Sequence, residues 1–140
     1  MPHLSQHSFS TTPQTVRAAR DFAMEALDNW GGCRRSDDIR TCVSELAGNA
    51  VRHGSLHGHA YLVRLIRHPD CLHVEVHDSA RHSRVRIPSA SLSAEAGRGM
   101  RIVQELCDDW GVRVLTGEGK AVWTCFRRPE AHTSRCSCTP

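Results

Sequence analysis

Apolar residues recur at helical spacing in the first third of the chain. Between residues 13 and 30 they return every three or four positions, and the glycine pair that follows is a typical helix terminator. A second helix is predicted from about residue 37 to residue 53, with Ser36 as its N-cap and Gly54 as its stop signal. The apolar stripe of this second helix consists of Ile39, Cys42, Val43, Leu46 and Ala50.

Alternating apolar and polar residues predict strands further along the chain. Residues 60–67 and 71–78 are separated only by a Pro-Asp turn, so they are expected to pair as a hairpin. Residues 110–115 and 120–126 form a second predicted hairpin around a glycine-containing turn. A short edge strand is also expected near residues 7–10.

A third helix and a long loop lie between the two predicted hairpins. The helix opens at Gly97 and directs Met100 toward the core, whereas residues 79–96 have weak periodicity and are expected to form a lid-like loop. Hairpins combined with one-sided helices predict an α+β fold, a two-layer α/β sandwich with a mixed, mostly antiparallel sheet and three helices on one face. Residues 1–128 are expected to form this single domain, and residues 129–140 a disordered tail.

Composition and charge exclude several classes of protein. No apolar run approaches the roughly 18 residues of a membrane helix, and the first ten residues lack a signal-peptide pattern, so we expect a soluble cytoplasmic protein. A net charge of +3 with dispersed basic residues gives no reason to expect direct nucleic-acid binding. Five of the seven cysteines stand singly, mostly within apolar patterns, and are expected to be small buried hydrophobes, while Cys136 and Cys138 fall in the predicted tail.

Three polar residues follow the edge of the second helix's apolar stripe. Glu45, Asn49 and His53 are spaced four positions apart and therefore share one side of that helix. The amide oxygen of Asn49 is a suitable ligand for Mg²⁺, and the carboxylate of Glu45 is a candidate general base. For these three residues alone, the better interpretation is still that they are boundary residues of an amphipathic helix.

Two further features have the chemistry of a nucleotide site. Gly97, Arg98 and Gly99 stand at the predicted start of the third helix, where free backbone N–H groups and the helix dipole favour phosphate. Asp78 ends a predicted strand, and a buried carboxylate there can accept a hydrogen bond from an exocyclic amine such as that of adenine. Each feature is also an ordinary junction or turn, so neither is decisive alone.

The order of these three elements resembles that of the GHKL ATPase superfamily, which includes gyrase, histidine kinases and anti-sigma-factor serine kinases. ELAGNAVRHG (45–54) resembles the N-box, HDSA (77–80) stands where the adenine-binding Asp box belongs, and GRGMRIV (97–103) resembles the second glycine box. The hairpin at 110–126 is similar to that of the short, single-domain anti-sigma-kinase-like branch. The resemblance spans roughly residues 10–128 and implies a Bergerat-type, histidine kinase-like ATP-binding domain.

Site residues and cofactors follow from this resemblance. It implies that Asn49 coordinates Mg²⁺ and phosphates, that Glu45 is the catalytic base of phosphoryl transfer, and that Asp78 recognises adenine. The implied function is that of an anti-sigma-factor serine/threonine kinase, which phosphorylates an antagonist protein and sequesters a sigma factor. A homodimer is also implied, through the first strand and helix. The ATP-binding residues would be Asn49, His53, Asp78, Gly97, Arg98, Gly99 and Met100.

The predicted adenine end of the site departs from the family pattern. Neither glycine of DxGxG follows Asp78, and Lys120 stands where many members have a threonine. A non-catalytic, nucleotide-sensing binding module with the same fold is therefore the alternative to a kinase. The third hypothesis is a zinc site without a convincing four-ligand set, drawn from HGSLHGH (53–59) or from His132, Cys136 and Cys138.

Overall fold

The computed structural model describes residues 3–54, 60–78, 94–115 and 119–128, which contain three helices and five strands. In chain order they are β1 (His3–Ser10), α1 (Thr15–Asn29), α2 (Ser36–Gly54), β2 (Ala60–Arg67), β3 (Cys71–Asp78), α3 (Ala94–Leu106), β4 (Asp109–Val114) and β5 (Lys120–Arg127). Most of the predicted lid and the whole predicted tail lie outside the described residues. None of the helices described is long and apolar enough to cross a membrane.

The five strands form one sheet in the order β1-β2-β3-β5-β4. Each pairing between neighbours is antiparallel, so the sheet that was expected to be mixed and mostly antiparallel is antiparallel throughout its described strands. The two predicted hairpins are present, and β3 and β5 pair directly to join them at the centre of the sheet. The structure thereby confirms the α+β two-layer architecture.

One face of the sheet packs against the helices. Because side chains alternate along a strand, Val63 of β2, Val74 of β3 and Phe126 of β5 all point to this side, where each is at most 1% exposed. The apolar stripe of α2 meets them there, and Met100 and Val103 bring α3 into the same cluster. Each such side chain contributes roughly 1.5–3 kcal/mol by leaving water.

The opposite face of the sheet, called the outer face below, is polar and yet buried at its centre. Glu75 of β3 is 3% exposed, and its carboxylate accepts hydrogen bonds from His73 Nε2 and His77 Nε2, each at 2.6 Å. The guanidinium of Arg113 reaches the same carboxylate from β4, at 3.1 and 3.2 Å. Trp123 of β5 stacks on His73 with ring centroids 5.8 Å apart. The outer face is therefore held by directed polar contacts.

Competing interactions determine the protonation of this outer-face cluster. Burial alone raises the pKa of Glu75, but hydrogen bonds from His73, His77 and Arg113 outweigh burial and hold that pKa well below its usual range. Glu75 is therefore ionised at neutral pH, and the carboxylate stabilises the donors around it.

Glycines end α1 where the sequence predicts. Gly31 and Gly32 have φ angles of 94° and 87°, a left-handed conformation that residues with a Cβ rarely adopt. The N–H groups of Gly31 and Gly32 donate to the carbonyls of Asp28 and Leu27, which lie in the last turn of the helix. The chain can then reverse and enter α2.

Two helix starts differ from the prediction. The N-cap role expected for Ser36 belongs to Arg35, whose carbonyl accepts the hydrogen bond of Ile39 N–H at 2.9 Å, because α2 begins at Ser36 itself. The third helix begins at Ala94, three residues before the predicted start at Gly97. Gly97, Arg98 and Gly99 therefore lie within α3 and do not form a junction before it.

The cysteines fulfil their predicted role only in part. Cys42 is fully buried between helices, and burial raises the pKa of its thiol to about 12, so it behaves as a small hydrophobe. Burial likewise raises the pKa of Cys107 to about 11. Cys71 and Cys125 are also buried, but each forms a disulfide, so the expectation of a plain buried thiol is wrong for these two.

Candidate functional site

Helix α3 lies close against α2 at a glycine. A Cβ added to Gly99 would lie 2.9 Å from Glu45 Oε2 and 3.9 Å from Asn49 Oδ1. The first distance is shorter than real Cβ contacts, so the missing side chain of Gly99 is what lets α3 lie against the carboxylate. The structure thus brings together two candidate residues of one helix with a third from a helix about fifty residues later in the chain.

The side chain of Asn49 is held from two sides. Its Nδ2 group points to Met100 Sδ at 3.8 Å, and Met100 is almost fully buried. Its Oδ1 atom accepts a hydrogen bond from the guanidinium of Arg52, one turn along the same helix. The amide oxygen is therefore directed away from the core, toward the partly exposed edge of α2 where Glu45 also lies.

Asp78 lies at the end of β3 on the helix side of the sheet. It is 3% exposed, and its neighbours across the sheet are Tyr61 of β2 and Lys120 of β5. Burial lowers the pKa of Lys120, although the nearby charge of Asp78 partly offsets this effect. A buried carboxylate with a half-buried ammonium group beside it marks this strand end as polar within an otherwise apolar layer.

The remaining candidates have less support from their positions. His53 is exposed in the last turn of α2. Gly97 and Arg98 follow the first three residues of α3, and only about the first four N–H groups of a helix lack acceptors within it. Gly97 is the fourth residue of this helix, so Arg98 and Gly99 lie beyond its first four N–H groups, and the helix start predicted at Gly97 is wrong.

Two residues of this region were not among the sequence candidates. Arg52 contacts Asn49, and the signal for it was its spacing of three positions on the same helix face. Lys120 was noted only as a departure from the family pattern, yet it lies beside Asp78. The contacts of Arg52 and Lys120 depend on which charged groups lie opposite each other across neighbouring strands and helix turns, so the sequence pattern alone did not indicate them.

The oxygen donors at the α2–α3 contact suit a magnesium ion shared with phosphates. Mg²⁺ takes oxygen ligands and usually needs one or two from the protein, the rest coming from water and substrate phosphates. Asn49 Oδ1 supplies one such oxygen, and the Glu45 carboxylate lies on the same side of α2. Within the described ranges no group of three histidine, cysteine or acidic side chains could hold a metal alone, and most of the predicted zinc ligands lie outside those ranges.

Comparison with known protein families identifies the domain to which these residues belong. A family model described as a histidine kinase-like ATPase domain matches residues 9–126, which is well over half of the chain. The matched span begins within β1 and ends within β5, so it includes the α2–α3 contact and Asp78. Among curated proteins, none matches the chain.

Proposed function

Because the chain belongs to the histidine kinase-like ATPase domain family, we propose that it is an anti-sigma-factor-type serine/threonine kinase that binds Mg·ATP between α2 and α3. The observation that carries this proposal is the approach of Gly99 to Glu45 and Asn49. Helix geometry keeps the carboxylate and the amide oxygen together at a partly exposed edge, and the glycine lets α3 lie beside both, which supports the positioning on which phosphoryl transfer depends.

Each polar group at this edge has a role in the proposal. The Glu45 carboxylate accepts the proton of an attacking serine or threonine hydroxyl. Asn49 offers its amide oxygen to Mg²⁺, which when bound would neutralise charge on the ATP phosphates. Asp78, almost fully buried at the end of β3, accepts a hydrogen bond from the exocyclic amine of adenine. Met100 fixes the Asn49 amide from the buried side.

Arg52 has a part in the same proposal. Its guanidinium donates to Asn49 Oδ1, the atom that would otherwise face the metal. A cationic group cannot share that oxygen with Mg²⁺ at close range, so Arg52 turns away or toward the phosphates when Mg·ATP binds. Arg52 is exposed and lies in the last turns of α2, so its side chain is open to solvent for such a rotation.

The partners in this proposal are proteins. The phosphate acceptor is an antagonist protein with a serine or threonine, and the regulated partner is a sigma factor. A second copy of the chain is a further partner, which the edge strand β1 and helix α1 would contact. Leu4 of β1 is 51% exposed and is one of the large apolar side chains available on that edge.

The second candidate function is a nucleotide-sensing module without chemistry. Two observations favour it: Asp78 is not followed by the glycines of its family motif, and Lys120 lies beside it. In that case the α2–α3 site binds Mg·ATP, but no phosphate moves to a protein.

Calorimetry with Mg·ATP, followed by transfer of labelled phosphate to a candidate antagonist, separates the two functions. Asn49→Ala is expected to weaken Mg·ATP binding by about tenfold or more, because it removes a metal ligand. Glu45→Ala should leave binding within about threefold of wild type and abolish transfer, because a general base typically contributes about 10²-fold to 10⁴-fold. Binding without transfer, unaffected by Glu45→Ala, would favour the sensing module.

Ser44→Ala is the matched control for both variants. Ser44 precedes Glu45 on the same helix and bonds only to the carbonyl of Arg40 among the contacts described, at 3.0 Å. Its removal changes the helix as little as possible while leaving the carboxylate and the amide in place. Equal loss of Mg·ATP binding in Ser44→Ala and Asn49→Ala would contradict the proposed site.

A further inference from the structure

A cavity of about 310 Å³ lies at the end of β3 opposite Asp78. Its apolar lining comes from Leu27 and Trp30 of the α1 end and from Leu72 of β3. The Gly31-Gly32 reversal opens this space, because neither glycine has an atom within 4 Å of where a Cβ would project. The cavity is large enough for roughly ten water volumes, or for a small organic molecule.

Three arginines from three different parts of the chain line this cavity. They are Arg34 before α2, Arg67 at the end of β2 and Arg128 after β5. No acidic side chain is among the described residues that line it. The mutual repulsion of three guanidinium groups around one cavity is unfavourable unless an anion offsets it.

Arg35, the residue after Arg34, differs from the three cavity arginines in having carboxylate partners. Its guanidinium is paired with Asp38 at 3.1 Å and with Asp108 at 2.9 Å. In the described part of the chain, by contrast, no salt bridge involves Arg34, Arg67 or Arg128, and Arg128 donates only to the carbonyls of His68 and Pro69, at 3.4 and 3.3 Å. The fold therefore supplies carboxylates to Arg35 and leaves the three cavity arginines for another acceptor.

We propose that this arginine cavity binds a small organic anion, a phosphate or carboxylate joined to an apolar or aromatic group. The forked guanidinium of arginine matches the paired oxygens of both anions. Trp30, Leu27 and Leu72 would cover the apolar part, and the face of an indole ring also favours contact with an aromatic group. A bare inorganic ion would leave this apolar surface without contact.

The arginine cavity is separate from the proposed nucleotide site. Leu72 and Asp78 mark the two ends of β3, and six residues of strand span about 20 Å. No ligand the size of the cavity reaches from one site to the other. Binding at the arginine cavity is therefore independent of whether the chain is a kinase or a sensing module.

Phenyl phosphate is a suitable probe for the full-length chain. Titration should give saturable binding by calorimetry together with a change in Trp30 fluorescence, because Trp30 lines the cavity. Phenol, which lacks the anion, and inorganic phosphate, which lacks the ring, should each bind at least about tenfold more weakly. Saturable binding of benzoate as well would extend the site to carboxylates, and its failure would restrict the ligand to phosphates.

Substitutions of the cavity arginines test whether phenyl phosphate binds in this cavity. Arg67→Gln and Arg34→Gln should each weaken phenyl phosphate binding by about tenfold, because each removes one charge-assisted contact. Arg17→Gln, an exposed arginine of α1 with the same change in net charge, is the matched control and should bind as wild type does. Asn49→Ala should also leave binding unchanged.

Three outcomes would overturn the proposal. If phenyl phosphate shows no saturable binding, the proposed anion site does not exist. If Arg17→Gln, Arg34→Gln and Arg67→Gln bind it with equal affinity, the binding is only a general attraction to positive charge. Loss of binding in Asn49→Ala would place the probe in the nucleotide site. Arg34 is exposed, so Arg34→Gln is expected to fold normally and keeps the test valid if Arg67→Gln does not.

Discussion

The two faces of the sheet are buried by different kinds of interaction. On the helix side, Val74 and its neighbours make apolar contacts that have no direction and no charge. On the outer face, the adjacent residue Glu75 is nearly as buried, but its burial depends on donors from His73, His77 and Arg113. Apolar contact tolerates changes of pH, whereas a buried carboxylate is stable only while its donors and its charge are both present.

The largest expected effect is on the helix side. Phe126→Ala removes a side chain that is 1% exposed, and we expect a loss of about 3–5 kcal/mol in the free energy of unfolding, through lost transfer energy and the cavity left behind. Urea denaturation measures it. Val114→Ala is the control, because Val114 is 84% exposed on β4 and should change stability by less than about 0.5 kcal/mol. Similar losses in both variants would contradict the assigned core.

The next largest effect tests the outer face. Glu75→Gln removes the charge that three donors share, and we expect a loss of about 2–3 kcal/mol at pH 7. This is less than a fully buried pair would lose, because the side chain of Arg113 is 41% exposed and partly screened by water. Urea denaturation of Glu25→Gln, an exposed glutamate of α1, should show almost no change. If Glu75→Gln is equally neutral, the outer-face cluster contributes nothing to stability.

At low pH, the contribution of the Glu75 carboxylate to the stability of the fold should be lost. Its folded-state pKa lies below the ordinary value of 4.5, so its contribution is fully present above about pH 4.5 and is lost as the pH falls toward the folded-state pKa. The stability difference between wild type and Glu75→Gln should therefore shrink as the pH falls from about 5 to about 3, which is one or two pH units below the ordinary pKa of a glutamate. Urea midpoints across this range measure it. A difference that stays constant would indicate that the carboxylate is not stabilised by its charge.

A smaller effect tests the packing of the outer face. A Cβ on Gly111 of β4 would lie 2.6 Å from Trp123 Cζ2, so the buried indole would have to move. We expect Gly111→Ala to cost about 1–2 kcal/mol by overpacking. The thermal midpoint measures this loss, and near-ultraviolet circular dichroism reports on the ring of Trp123. An unchanged spectrum with unchanged stability would mean that Trp123 does not pack on β4.

The smallest stability effect is expected at the candidate functional site. Gly99→Ala places a Cβ 2.9 Å from Glu45 Oε2, and the carboxylate can give way because it ends a flexible side chain. We expect a change of less than about 1 kcal/mol in unfolding, together with a strong loss of phosphate transfer. Gly48→Ala is the matched control on α2, because its Cβ would meet only Arg52 at an ordinary 3.8 Å. Equal activity of the two variants would contradict the role of the Gly99 contact.

The sequence predicted the helix side better than the outer face. Residues 60–67 and 71–78 are strands with the predicted bounds, because one apolar face imposes a clear alternation of residue types. Only the end of β1 was predicted, since an exposed edge strand of histidine and serine lacks that alternation. The glycines at 97 and 99 suggested a later start for α3 than the structure has, and the small size of Gly99 instead serves the contact between two helices.

At the candidate site, the sequence indicated residues that the structure brings together, but not the contacts between them. The spacing of Glu45 and Asn49 follows from helix geometry alone. That Gly99 lies against Glu45, or that Arg52 donates to Asn49, depends on how two helices pack and which rotamers they select. The Glu75 cluster was not predicted at all, because alternation places His73, Glu75 and His77 on one face without saying that this face is covered.

The pairing of β1 with β2 has a consequence for the order of folding. His3 pairs with Arg67 and Ser10 with Ala60, so α1 and α2 both lie within the chain that separates the two strands. Closing so long a loop costs entropy that the contacts of β1 repay only after the helices have docked. The hairpin of β2 and β3, by contrast, closes across a short turn. We therefore expect β1 to join the sheet late in folding and to exchange its amide hydrogens earliest among the strands.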